Sequence, residues 1–113
     1  MSGISTHILD LTLGRPAAGV IVRLEQEQDG QWKEVAQSQT DGDGRVRSLL
    51  PSVHELRPRR YRIGFATGEY FRAQGIASFY PYVEIAFTVD DPGQSYHVPL
   101  LVTPHSYSTY RGS

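Results

Sequence analysis

Alternation of apolar and polar residues at a period of two constrains the fold of this chain more than any other feature of its sequence. Val20, Val22 and Leu24 occupy alternate positions of one segment, and Ile85 and Phe87 do the same in another. Because successive side chains of a β-strand point to opposite faces of a sheet, this period predicts strands and not helices.

Eight segments have this pattern or a comparable content of β-branched and aromatic residues: 5–12, 20–25, 31–39, 45–49, 61–67, 82–89, 95–103 and 106–110. Glycine, proline and aspartate between them provide the chain reversals. These turn signals lie at 14–16, 29–30, 41–44 and 90–93. One short helix is predicted over 68–75, between glycines. The sequence therefore predicts an all-β fold, an eight-stranded antiparallel β-sandwich, in one domain over residues 1–113.

Composition limits the function classes. Eleven Lys and Arg residues against twelve Asp and Glu give a net charge of -1, which provides no electrostatic footprint for nucleic acid or an anionic membrane. The chain has no cysteine, which excludes disulfides, a thiolate nucleophile and Cys-based metal sites. No segment approaches the roughly 18 apolar residues of a membrane span, and the first residues lack a signal-peptide pattern, so we expect a cytoplasmic protein.

Two of the predicted strands are apolar on both faces. Ile8 opposes Leu9 in the first, and Leu100 opposes Leu101 in the second. A sandwich strand usually faces water on one side, and a large exposed apolar patch is unusual on a monomer. We therefore expect another subunit to cover this second face.

Strand parity places His7 on the same side as Leu9, and His97 on the same side as Leu101. Each histidine thus belongs to the expected intersubunit surface, where either a packed interface residue or a catalytic residue is compatible with the pattern. Arg45 directly follows the Asp- and Gly-rich turn, from which a guanidinium can reach a carbonyl or an anion. A solvated arginine at the start of a strand is the plain alternative.

Other chemistries lack their motifs. There is no Gly-x-Ser-x-Gly element, which argues against a serine nucleophile. There is no His-x-His or His-Glu-x-x-His spacing, and the turn at 41–44 lacks the acidic twelfth ligand of a calcium loop. His54 and His105 fall in turns without a carboxylate at ligand spacing. We expect neither a metal nor another cofactor.

Four segments together resemble the transthyretin-like 5-hydroxyisourate hydrolases. These segments are Ser5-Thr-His-Ile-Leu-Asp10, Asp41-Gly-Asp-Gly-Arg45, Tyr96-His-Val-Pro-Leu-Leu101 and Tyr110-Arg-Gly-Ser113. The resemblance covers essentially the whole chain. Its most diagnostic part is the final tetrapeptide, which separates these enzymes from transthyretin, the hormone carrier of the same fold.

The resemblance implies a transthyretin-like (prealbumin-like) sandwich that hydrolyses 5-hydroxyisourate, the product of urate oxidation, on the route to allantoin. The implied product is 2-oxo-4-hydroxy-4-carboxy-5-ureidoimidazoline, and no cofactor is implied. The implied assembly is a homotetramer, in which dimers joined edge to edge pack face to face around a channel that holds the sites. A non-catalytic carrier of an aromatic small molecule in that channel is the rival interpretation.

The site residues implied by the resemblance are His7, Arg45, His97, Tyr110, Arg111, Gly112 and Ser113. The two histidines are expected to hold and deprotonate water, and the choice of the base between them stays open. The arginine at 45 is expected to bind the substrate and stabilise negative charge. In the tetrapeptide, Tyr110 is expected to contact the planar substrate, and Ser113 to orient a histidine or the substrate through its hydroxyl or terminal carboxylate. A structural tether is the alternative role for Arg111.

Overall fold

Two packed sheets contain every strand of the computed structural model, which describes residues 3–113. The elements in chain order are β1 (Gly3–Asp10), β2 (Arg15–Pro16), β3 (Ile21–Gln28), β4 (Gln31–Gln39), β5 (Arg45–Val46), β6 (Arg59–Phe65), α1 (Thr67–Arg72), β7 (Val83–Val89), β8 (Ser95–Thr103) and β9 (Ser106–Thr109). The predicted all-β sandwich with one short helix is confirmed, although residues 3–113 contain nine strands and the sequence predicted eight.

The sheets differ in topology. Sheet B has the strand order β4-β3-β6-β7 and is antiparallel throughout. Sheet A has the order β2-β1-β8-β9, and β5 also pairs with β1. The pairing of β1 with β8 is parallel, whereas the prediction was antiparallel. These two strands are separated by all of sheet B in the sequence, so no hairpin turn constrains them to run in opposite directions.

Only β4 and β8 have the predicted bounds, and the other predicted elements differ by one to three residues at one or both ends. The strand expected over 45–49 is only Arg45–Val46, because the chain then leaves the sheet edge and buries Leu49, whose N–H donates to the Ile4 carbonyl at 2.8 Å. Thr67, expected to end a strand, begins α1 instead. The turn signal around Arg15–Pro16 contains a two-residue strand against β1.

The core lies between the inner faces of the sheets, as the period of two predicts. Ile8 and Leu100 of sheet A and Leu24 and Ile63 of sheet B are fully buried. Along β1, buried and half-exposed residues alternate without a break, and His7 lies among the half-exposed ones. One face of sheet A therefore forms the core, and the other is available for chemistry.

The short helix α1 packs against the core and the end of β1. Its Phe71 is buried in the core, and the Tyr70 hydroxyl donates to the buried Asp10 carboxylate at 2.8 Å. Asp10 also accepts the N–H groups of Thr12 and Leu13, at 2.9 and 3.1 Å, which fixes the turn after β1. None of the helices described in residues 3–113 has the length and apolarity needed to cross a membrane.

Candidate active site

The outer face of sheet A brings the three main candidates together. Strand β1 lies between β5 and β8, and their registers place His7 beside both Arg45 and Pro99. His97 lies on β8 opposite Ser5, one diagonal step from His7 on the same face. The parity prediction for both histidines is confirmed, and Arg45 joins them on a third, adjacent strand.

The turn before Arg45 is held by the Asp41 carboxylate. Its Oδ1 accepts the N–H groups of Asp43 at 2.9 Å and Arg45 at 3.0 Å, while the Gly44 N–H donates to the Asp41 carbonyl at 2.9 Å. The hydrogen bond from the Arg45 N–H holds the pKa of Asp41 below its usual value. The turn thus fixes the backbone from which the guanidinium projects.

Gly44 lets this turn pack directly against β1. The Ile8 N–H donates to the Gly44 carbonyl at 2.7 Å, and Gly44 has a φ of 74°. A Cβ at this position would lie 2.5 Å from the Ile8 carbonyl oxygen. Glycine is therefore required here on two grounds, the left-handed backbone and the close approach.

The imidazole of His97 is held on two sides. Its Nδ1 lies 2.8 Å from the Ser5 hydroxyl. Gly112 packs against its Cδ2 side, where a Cβ would collide with the ring, and the Gly112 N–H donates to the His97 carbonyl at 2.8 Å. Burial of the ring lowers the pKa of His97, and electrostatic interactions with Arg45 and His7 lower it further. The neutral form, a proton acceptor, is therefore favoured at neutral pH.

The final tetrapeptide is folded against this face, with its residues in different surroundings. Ser113 lines a cleft of about 230 Å³ together with Arg45 and His97. Tyr110 is 60% exposed and borders a neighbouring cleft of about 240 Å³ that shares His97. These four residues therefore converge on one region.

Arg111 borders the same cleft as Tyr110 and His97, but its guanidinium is engaged by other groups. Its guanidinium lies over the Tyr96 ring, 4.6 Å from the centroid, and donates to the Gln94 side chain at 2.9 Å. These contacts agree with the tether alternative for Arg111.

A larger cleft, of about 490 Å³, lies beside α1 between Arg15 and Tyr70. It is lined by no histidine, so it lacks a side chain that ordinarily ionises near neutral pH. No group of three or more His, Asp or Glu residues in the described part of the chain is arranged to hold a metal ion.

Sequence reasoning missed two residues of the site. Ser5, the partner of His97, precedes His7 by two positions, so its place on the outer face was readable from strand parity. Arg47 lines the cleft with Arg45 and follows it by two positions, the same spacing as that between Ser5 and His7. The signal was present in both cases, but the pairing of Ser5 with His97 depends on a strand 92 residues away.

The fold and this site define a transthyretin-like sandwich with a histidine- and arginine-bearing outer face. The model of the HIUase/Transthyretin family matches residues 4–112, and the chain belongs to that family. The 5-hydroxyisourate hydrolase of Caulobacter vibrioides is 46% identical over 117 residues, which cover 100% of both chains.

Two solved structures represent the two branches of the fold. A 5-hydroxyisourate hydrolase from Klebsiella pneumoniae has a TM-score of 0.86 and 37% identity, and the match covers 99% of this chain and 100% of that one. Sea bream transthyretin in complex with thyroxine has a TM-score of 0.90 and 31% identity, covering 96% and 93%. Because the carrier fits the backbone as well as the enzyme does, backbone shape does not choose between them.

Proposed function

We propose that this chain, as one domain over residues 1–113, hydrolyses 5-hydroxyisourate to 2-oxo-4-hydroxy-4-carboxy-5-ureidoimidazoline. The observation that carries the proposal is the convergence of His7, His97 and Arg45 on the outer face of sheet A. The 46% sequence identity to a 5-hydroxyisourate hydrolase, which extends over the full length of both chains, supports the choice of substrate.

The reaction needs three catalytic functions: a base for the water, a stabilising group for the oxyanion and an acid for the departing nitrogen. A water molecule loses a proton as its oxygen attacks the ring carbonyl, an oxyanion forms, and the C–N bond breaks as the departing nitrogen takes a proton. His97 and His7 provide one ring nitrogen to accept a proton and another to deliver one. Arg45 binds the developing oxyanion with its planar pair of N–H donors.

The tetrapeptide completes the substrate site in this proposal. Tyr110 contacts one face of the planar ring, and Ser113 donates a hydrogen bond beside Arg45. Gly112 lets the His97 ring pack directly against the backbone, because a side chain at this position would occupy the space of the ring. Arg111 contributes indirectly, by holding the segment against Tyr96.

Addition of the purified protein to freshly prepared 5-hydroxyisourate tests the proposal. The ultraviolet absorbance of the substrate should decay far faster than in buffer or with the heat-denatured protein. Decay at the spontaneous rate, combined with saturable binding of thyroxine, would contradict the proposed hydrolysis and support the carrier interpretation. The carrier has the structural likeness to sea bream transthyretin in its favour, and the bulk of the exposed Tyr110 side chain, which would narrow the channel, against it.

We further propose a homotetramer, a dimer of dimers. Leu9 and Leu101 pair in register on the outer face of sheet A and are only half-buried, while Leu11 is 53% exposed. Covering these side chains and the edges of β7 and β9 removes apolar surface and unpaired strand edges from water. Sedimentation should give a species near four times 12.6 kDa, and a stable monomer at micromolar concentration would contradict this assembly. The cytoplasmic location stays a prediction.

A further inference from the structure

The Nδ1, Cδ2 and Nε2 atoms of the His97 imidazole have different surroundings. Nδ1 lies 2.8 Å from the Ser5 hydroxyl, and the Cδ2 side packs on Gly112. Nε2 has no hydrogen-bond partner within residues 3–113. The ring is therefore fixed in orientation, with one nitrogen occupied and the other available to a ligand in the cleft.

The surrounding charges favour one of the two neutral tautomers. Arg45, Arg47 and the final residue Ser113 line the cleft on this side of His97, and His7 lies on the neighbouring strand, so two guanidinium groups face one terminal carboxylate. Ser5 occupies Nδ1, and the cleft that His97 shares with Arg45 and Arg47 offers Nε2 a positive region to face. An N–H bond there would direct its positive end toward cations, whereas a lone pair is attracted to them.

A serine hydroxyl accepts or donates equally well, so it adapts to whichever tautomer the charges select. With the proton on Nδ1, the Ser5 oxygen accepts the hydrogen bond and Nε2 keeps its lone pair. In that state, the second nitrogen of the neutral ring is a base.

We propose that Ser5 is a positioning residue, whose hydroxyl accepts the Nδ1–H of His97 and so leaves Nε2 free to take the proton of the attacking water. This inference rests on the proposed hydrolysis and assigns the general base to His97. As the water oxygen bonds to the ring carbonyl carbon, its proton moves to Nε2, and the resulting imidazolium keeps its Nδ1–H on Ser5.

Nitrogen-15 NMR of the histidine rings tests the tautomer without reference to turnover. At neutral pH, His97 should show a protonated Nδ1 and an unprotonated Nε2 in the unmodified protein. Ser5→Ala should shift the population toward the Nε2–H form, since the acceptor of Nδ1–H is gone. An Nε2–H tautomer in the unmodified protein, or no change in Ser5→Ala, would overturn the proposal.

Kinetics give the second readout. Ser5→Ala should lower kcat by roughly tenfold with little change in KM, because orientation of the base affects the chemical step more than binding. Ser5→Thr, which keeps the hydroxyl, should restore most of the loss. Ser38→Ala, at a half-buried strand serine of sheet B, is the matched control and should leave kcat unchanged.

Two outcomes are distinguishable. Absence of turnover in the unmodified protein would refute the proposed function, while the tautomer measurement would still decide the role of Ser5. Equal kcat in Ser5→Ala and the unmodified protein would refute Ser5 as a positioning residue and leave the proposed function intact.

Discussion

The outer faces of the two sheets differ in whether their charged side chains have ion-pair partners. On sheet B, Arg60 pairs with Glu27 at 2.6 Å, and Arg62 pairs with Glu25 at 2.8 Å and lies over Trp32. A third pair joins Arg23 and Glu34 at 3.8 Å. Each of these guanidinium groups thus has a carboxylate partner on a neighbouring strand.

Sheet A has no such compensation in the part of the chain that the structure describes. His7, Arg45 and His97 lie side by side, and none of them forms an ion pair with Asp or Glu within residues 3–113. The Asp41 carboxylate, which lies near Arg45, is bound to backbone N–H groups of its own turn. Self-neutralised charge favours a solvated surface, whereas uncompensated positive charge beside a neutral histidine favours binding of a polar or anionic ligand.

The largest expected contrast concerns the histidines. His7→Ala or His97→Ala should lower kcat by roughly a hundredfold or more, because each removes a group that transfers a proton. His54→Ala and His105→Ala, at exposed loop positions that do not line either cleft of the site, should leave kcat unchanged. Steady-state assays of all four variants check the difference, and near-normal turnover in both site variants would refute the histidine mechanism.

Arg45→Lys tests whether this face needs a guanidinium or only a positive charge. We expect a loss of roughly tenfold or more in kcat/KM, because lysine keeps the charge and loses the planar pair of donors. Arg23→Lys on sheet B is the matched control, since its partner Glu34 is 3.8 Å away and exposed. Unchanged kcat/KM in Arg45→Lys would indicate a solvated arginine.

A glycine pair tests the fit under the His97 ring. Gly112→Ala should lower kcat by roughly tenfold, because the new Cβ displaces the imidazole or the strand that carries it. Gly64→Ala is the control on sheet B, where the added Cβ meets nothing within 4 Å and the backbone has no positive φ. If Gly112→Ala retained full activity, the contact of Gly112 with the ring would have no part in catalysis.

The smallest effect is expected for a substitution on the outer face of sheet B. Arg62→Met should lower the free energy of unfolding by about 1–2 kcal/mol, the sum of a modest ion pair and a cation–π contact. The side chains of Arg62 and Glu25 are 23% and 21% exposed, so water screens the pair only in part. Denaturant unfolding measures the loss, and kcat should stay unchanged. A large drop in kcat would show that the two faces are coupled.

Local pattern was sufficient for the strands and for which residues face outward. The period of two in β1 and β8 placed His7 and His97 on the outer face, because parity is a property of each strand alone. The Asp- and Gly-rich turn likewise predicted a rigid reversal before Arg45, which its hydrogen bonds confirm.

Contacts between distant strands were not predictable in this way. The parallel pairing of β1 with β8, and with it the hydrogen bond between Ser5 and His97, depends on how the chain crosses between sheets. The shortness of β5 depends on Leu49 finding a buried place beside Ile4. Such features follow from packing, which a single strand does not encode.

The central claim is that the outer face of sheet A, and not that of sheet B, binds the substrate. Titration of the isotope-labelled protein with urate, a stable planar relative of the substrate, tests this directly by NMR chemical-shift mapping. The account predicts perturbations centred on His7, Arg45 and His97, with none at Glu25 or Arg62. Perturbations centred on Glu25 and Arg62, or absent from all three residues of the first set, would contradict it.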